Sequence, residues 1–119
     1  AYVAVTDFNG DGFDDVIVGA GVGGAPRVSV YHGELLGTAN HRTVLADFFA
    51  GDSSRRGGIR VAGRDLDLDG RGDIITGAGR GDGSTVNVFF AKSFETAAQP
   101  NPAFGLEAFP TLEAGVYVG

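Results

Sequence analysis

The sequence has no cysteine, no methionine, only two histidines and little positive charge. The lack of cysteine excludes a disulfide framework and leaves the redox compartment open. No apolar run approaches the roughly 18 residues that a membrane-crossing helix needs, so no membrane insertion is expected. No signal peptide is visible at the N-terminus. A chain that starts at Ala1 and contains no methionine reads as a processed or excised piece, expected to continue beyond both ends. The net charge is −6 and the pI about 4.6. A nucleic-acid binder would carry a basic face. Six arginines do fall between Arg55 and Arg80, but Asp65, Asp67 and Asp69 interrupt them. Nucleic acid is therefore not an expected partner.

What is present is a core-forming composition: 119 residues with 43% hydrophobic side chains and 21 glycines. That suits one small folded domain rather than a disordered chain. The acids are clustered. Asp7, Asp11, Asp15, Asp65, Asp67, Asp69 and Asp73 fall in two windows, "TDFNGDGFDDVIVGAG" and "RDLDLDGRGDIITGAG". A merely solubilising surface would scatter them.

The windows are copies. An offset of 58 residues pairs Asp7 with Asp65, Asn9 with Asp67, Asp11 with Asp69, Gly12 with Gly70 and Asp15 with Asp73. It also pairs Val28 and Val30 with Val86 and Val88. "GVYVG" at 115–119 then resembles "GIRVA" at 58–62. The chain thus divides into a repeat over 1–58, a second over 59–115, and the start of a third at 116–119. Each repeat reads as four short strands: A (2–7 and 59–65), B (15–20 and 73–78), C (26–32 and 85–91) and D (43–49 and 104–109). Alternating side chains, as in Val28 and Val30 against Ser29 and Tyr31, give the period of a pleated strand. The segments "GELLGTANH" and "KSFETAAQPNP" read as surface loops. The expected class is all-β. Four strands per repeat of this length is the signature of a four-stranded antiparallel β-propeller blade.

The acidic spacing has a chemical meaning. Asp7, Asn9, Asp11 and Asp15 occupy positions 1, 3, 5 and 9 of a loop, with Gly12 at the turn and the Phe13 carbonyl available at position 7. Asp65, Asp67, Asp69, the Arg71 carbonyl and Asp73 repeat the set. This is the spacing by which an EF-hand-type loop wraps Ca²⁺. Unpaired carboxylates this close repel unless a cation sits among them. Hard oxygen donors select Ca²⁺ or Mg²⁺ over zinc or copper. It is not an EF-hand: position 12 is Val18 or Thr76, and the flanks are strands. Two Ca²⁺ per chain are expected.

With "DFNGDGFDDVIVGAG", "DLDLDGRGDIITGAG", "GGAPRVSVY" and "GSTVNVFF", the chain resembles the FG-GAP/VCBS-type repeats of calcium-binding β-propellers, a group that includes the integrin α-subunit head. Gly24-Ala25-Pro26 of that signature is present in the first copy and absent from the second. The resemblance implies that strand A lines a central channel and that Ca²⁺ sits in the A–B loop of each blade. It also implies an extracellular binding, adhesion or scaffold module, by analogy of fold.

Other signals carry less. Gly19-x-Gly21-x-x-Gly24 follows a strand, but Pro26 and the alternating "RVSVY" leave no helix N-terminus for a phosphate. His32 and His41 do not recur at the repeat offset and read as surface residues. Asp14 reads as a spare acid facing solvent or a second shell. Tyr2, Tyr31, Phe89, Phe90 and Phe109 read as core rather than sugar-stacking platforms. The expected function is a calcium-stabilised extracellular or cell-surface module. Its partners would be neighbouring blades, from the same longer chain or from other copies, with a possible protein or carbohydrate ligand. The alternative is a fragment of a propeller enzyme acting on polysaccharides. No catalytic constellation is visible, so an enzyme is not the favoured reading.

Overall fold

The computed structural model describes residues 1–79, 81, 83, 85–107 and 118. Among these residues, eight strands form two four-stranded sheets. The first holds β1 (Tyr2–Thr6), β2 (Asp15–Gly19), β3 (Arg27–Tyr31) and β4 (Val44–Phe49). The second holds β5 (Ile59–Arg64), β6 (Asp73–Ala78), β7 (Thr85–Phe89) and β8 (Phe104–Glu107). Each strand pairs antiparallel with the next in sequence, so both sheets are simple meanders. This all-β architecture is that of β-propeller blades. Residues 108–109 of the expected strand D, Phe109 and all of the expected third repeat except Val118 lie outside the described residues.

Alternation explains which face each sheet buries. Pairing of Ala4 with Ile17, Ile17 with Val30, and Val28 with Phe48 puts these side chains on one face. That face packs on Ile59, Val61, Ile74 and Phe89 of the second sheet. Ile17, Val28, Val30 and Ile74 lose all solvent contact. Burial of a side chain of this size is worth about 1.5–3 kcal/mol. Strands β1 and β2 both lie against β5, and Gly19 of β2 makes the close approach to Ile59 possible. A Cβ there would sit 2.3 Å from the Ile59 carbonyl oxygen.

The two linkers expected as loops each contain a short 3₁₀ turn, Gly33–Leu35 and Ala91–Glu95. The second turn carries Phe94 into an aromatic cluster. Its ring lies 5.4 Å from Phe8 and 4.8 Å from Phe48, and Phe48 lies 4.9 Å from Phe89. Among the described residues no helix is long and apolar enough to cross a membrane.

Candidate metal centre

The β1–β2 and β5–β6 hairpins carry the two acidic loops, and the two loops fold by the same rules. In the first, Asp7 Oδ1 accepts the N–H groups of Gly10 and Asp11 at 2.9 and 3.1 Å. Asp7 Oδ2 accepts that of Gly12 at 2.9 Å, and Asp11 Oδ1 that of Phe13 at 2.9 Å. In the second, Asp65 accepts from Asp69 and Gly70 at 3.2 and 2.9 Å, and Asp69 from Arg71 at 2.9 Å. Gly12 and Gly70 take φ of +88° and +85°, the left-handed turn that lets alternate side chains converge.

Asp15 and Asp73 hold each loop to its sheet. Both are fully buried. Asp15 Oδ2 accepts the N–H of Phe8 at 2.9 Å and of Asn9 at 3.3 Å, while its Oδ1 accepts Gly33 N–H at 2.9 Å. Asp73 does the same with Leu66, Asp67 and Ala91, at 2.8, 3.4 and 2.9 Å. Each carboxylate thus fixes the loop to the start of the 3₁₀ segment after strand C. Each Oδ1 accepts one N–H and keeps a lone pair for a further partner.

The carboxylates converge unequally. In the second loop, oxygens of Asp65, Asp67 and Asp73 lie within 4.8 Å of one another. Both oxygens of Asp67 are shielded from solvent and take no hydrogen bond of good geometry among the described residues, although Lys92 Nζ approaches Oδ2 at 3.3 Å. Burial raises the Asp73 carboxyl above its ordinary value, and the charge of Asp67 adds to the rise. Burial also works to raise Asp67, but Lys92 and Asp69 outweigh it and hold that carboxyl low. Shielded carboxylate oxygens and repelling charges are what a hard divalent cation would relieve, so the residues present fit Ca²⁺. Asp69 turns its Oδ1 to the Arg71 amide instead.

In the first loop the close grouping is Asp11, Asp15 and His32. The amide N–H of Phe13 is the main cause of a lowered Asp11 pKa, partly opposed by burial. Asn9 donates from Nδ2 to Asp11 Oδ2 at 3.2 Å, while Asp7 turns both oxygens to loop amides. The side chain of Phe13 is 53% exposed, so its place in the loop is a matter of backbone alone. His32 corrects the sequence reading. It is not a free surface residue but covers the loop, with its side chain only 18% exposed. The signal was in the register: Val16 pairs with Tyr31, which sets residue 32 opposite Asp15. His41 is exposed, its Nδ1 3.1 Å from the Thr38 carbonyl.

The loops also touch each other. Gly72 donates its N–H to the Asp7 carbonyl at 2.6 Å, and Arg71 Nε donates to the Phe8 carbonyl at 3.2 Å. Gly72 replaces Asp14 of the first repeat because a Cβ there would lie 1.9 Å from Thr6 Oγ1.

Paired antiparallel meanders stacked on their faces, each with an acidic A–B loop, define a β-propeller class of repeat. Residues 3–31, which span most of β1, the acidic loop, β2 and β3, match the family model of the FG-GAP repeat. Comparison with curated proteins gives no match.

Proposed function

We propose that the chain is a calcium-stabilised β-propeller module serving extracellular binding, adhesion or surface scaffolding. One observation supports this above others. Two loops 58 residues apart fold alike, and each anchors a fully buried carboxylate beside further metal-ligating side chains. Asp7, Asn9, Asp11, Asp15 and the Phe13 carbonyl would hold one ion. Asp65, Asp67, Asp69, Asp73 and the Arg71 carbonyl would hold the other. The ions would supply positive charge that fixes loop shape; the residues themselves position the hairpins. Weak, partly water-exposed Ca²⁺ sites would suit the extracellular space, where modules work at about 10⁻⁴ to 10⁻³ M.

For a ligand, the surface of interest is the opposite end of the strands. There a cavity of about 220 Å³ opens between the sheets, lined by Pro26, Ala50, Asp52, Arg55, Thr76 and Asn87 among others. The Thr76 hydroxyl is buried there without a partner among the described residues.

Calorimetric titration of chelator-stripped protein with Ca²⁺ tests the reading. We expect two ions per chain and a higher melting temperature, because an ion that binds the folded state stabilises it by mass action. Asp11→Ala and Asp67→Ala should each remove one ion. Uptake of no Ca²⁺, or an unchanged melting temperature at saturating Ca²⁺, overturns the proposal.

A further inference from the structure

We infer that the two loops are chemically distinct metal sites, and that His32 makes the first a mixed nitrogen–oxygen site for a borderline dication of the zinc class. The inference rests on the reading of the loops as cation sites and goes beyond it. His32 Nε2 lies 3.7 Å from Asp11 Oδ2 and 3.4 Å from Asn9 Nδ2. Asn9 Nδ2 donates to the Nε2 lone pair here; an ion in the loop would take that lone pair in place of the amide, with Asn9 turning its Oδ1 to the ion. Two ligands about 2.1 Å from one ion stand roughly 3 to 4.2 Å apart, so the Nε2–Asp11 separation suits a shared ion. On the other side of the ring, Nδ1 is buried and without a hydrogen bond among the described residues, 4.0 Å from Asp15 Oδ1. Asp11, Asp15 and His32 each offer one atom within 4.8 Å of the others, a spread that one shared ion can span.

The second loop has none of this. Its Ile74–Phe89 pairing sets Phe90, in place of histidine, opposite Asp73. The Lys92 ammonium lies 5.1 Å from the Phe90 ring centre and 3.3 Å from Asp67 Oδ2. That loop offers only oxygen donors and carries its own competing cation. Imidazole nitrogen favours zinc-class ions, whereas carboxylate and carbonyl oxygen favour Ca²⁺ and Mg²⁺. The first loop therefore takes Zn²⁺ as well as Ca²⁺, and the second takes only the hard ions.

The experiment uses the 119-residue chain, chelator-stripped, with Zn²⁺ and Ca²⁺ as probes. Zn²⁺ calorimetry is run on the unaltered chain, His32→Phe and His41→Asn. Imidazole nitrogen resonances are followed by NMR, which is simple with only two histidines. We expect one Zn²⁺ per chain, bound about tenfold or more weakly in His32→Phe and unchanged in His41→Asn. We also expect Zn²⁺ to shift the ring nitrogens of His32 and not those of His41. Zn²⁺ affinity that ignores His32→Phe, or follows His41, overturns the inference. If His32→Phe loses its β-sheet circular dichroism, the ring-nitrogen shifts of the unaltered chain decide alone. Two Ca²⁺ bound with no Zn²⁺ effect at His32 sinks this inference and spares the calcium reading. No uptake of either ion sinks both.

Discussion

Leu68 shows how one residue can work against a loop that the rest of the chain favours. It takes φ of +59°, while its counterpart Gly10 in the first loop takes +76°. Left-handed backbone costs a side-chain-bearing residue roughly 1–2 kcal/mol, which glycine escapes. The Leu68 side chain is 86% exposed, so it recovers little by burial. Leu68→Gly should therefore raise stability by up to about 1 kcal/mol, the excess being lost to greater chain entropy when unfolded. Denaturant unfolding of metal-free protein would show it as a higher midpoint; a lower midpoint would mean the leucine makes a contact worth more than its strain. Its position in the acidic motif was legible in the sequence, but its φ was not, since a repeat alignment carries no dihedral.

At the scale of elements, the turn of residues 91–95 matters more than its short length suggests. It brings Phe94 between Phe8 of the first loop and Phe48 of β4, so one aromatic cluster ties the first loop to both sheets. Phe48 is only 2% exposed and also contacts Phe89. Phe48→Ala should cost about 3–5 kcal/mol, the usual range for truncating a buried aromatic. Thermal or denaturant unfolding measures it. A loss below about 1 kcal/mol would mean the sheets do not depend on this cluster. Strand positions followed from alternation and glycine punctuation. The 3₁₀ turns did not, because a single turn leaves no periodic trace in a linker.

For the molecule as a whole, stacking covers one face of the first sheet and leaves the other open. Val3 is 64% and Val5 55% exposed on that open face of β1. In a propeller such a face meets the next blade, and a ring needs about four to eight blades. We expect the 119-residue chain to associate in solution through this face. Sedimentation velocity should show concentration-dependent growth in mass, with Val3→Asp and Val5→Asp together shifting it towards monomer. A monomer at all concentrations that binds no apolar-surface dye would count against association through this face.

The sequence by itself determined the strands, the two-fold repeat and the composition of both acidic loops, because all three are local or periodic. Alternation sets strand faces, and the spacing from Asp7 to Asp15 sets which side chains a tight turn can gather. Only the tertiary structure decided how the loops differ. Hairpin register put His32 over one loop, and Phe90 with Lys92 beside the other. Sheet stacking required Gly72 where the first repeat has Asp14. These are contacts between segments far apart in the chain, and no local pattern encodes a distance across them.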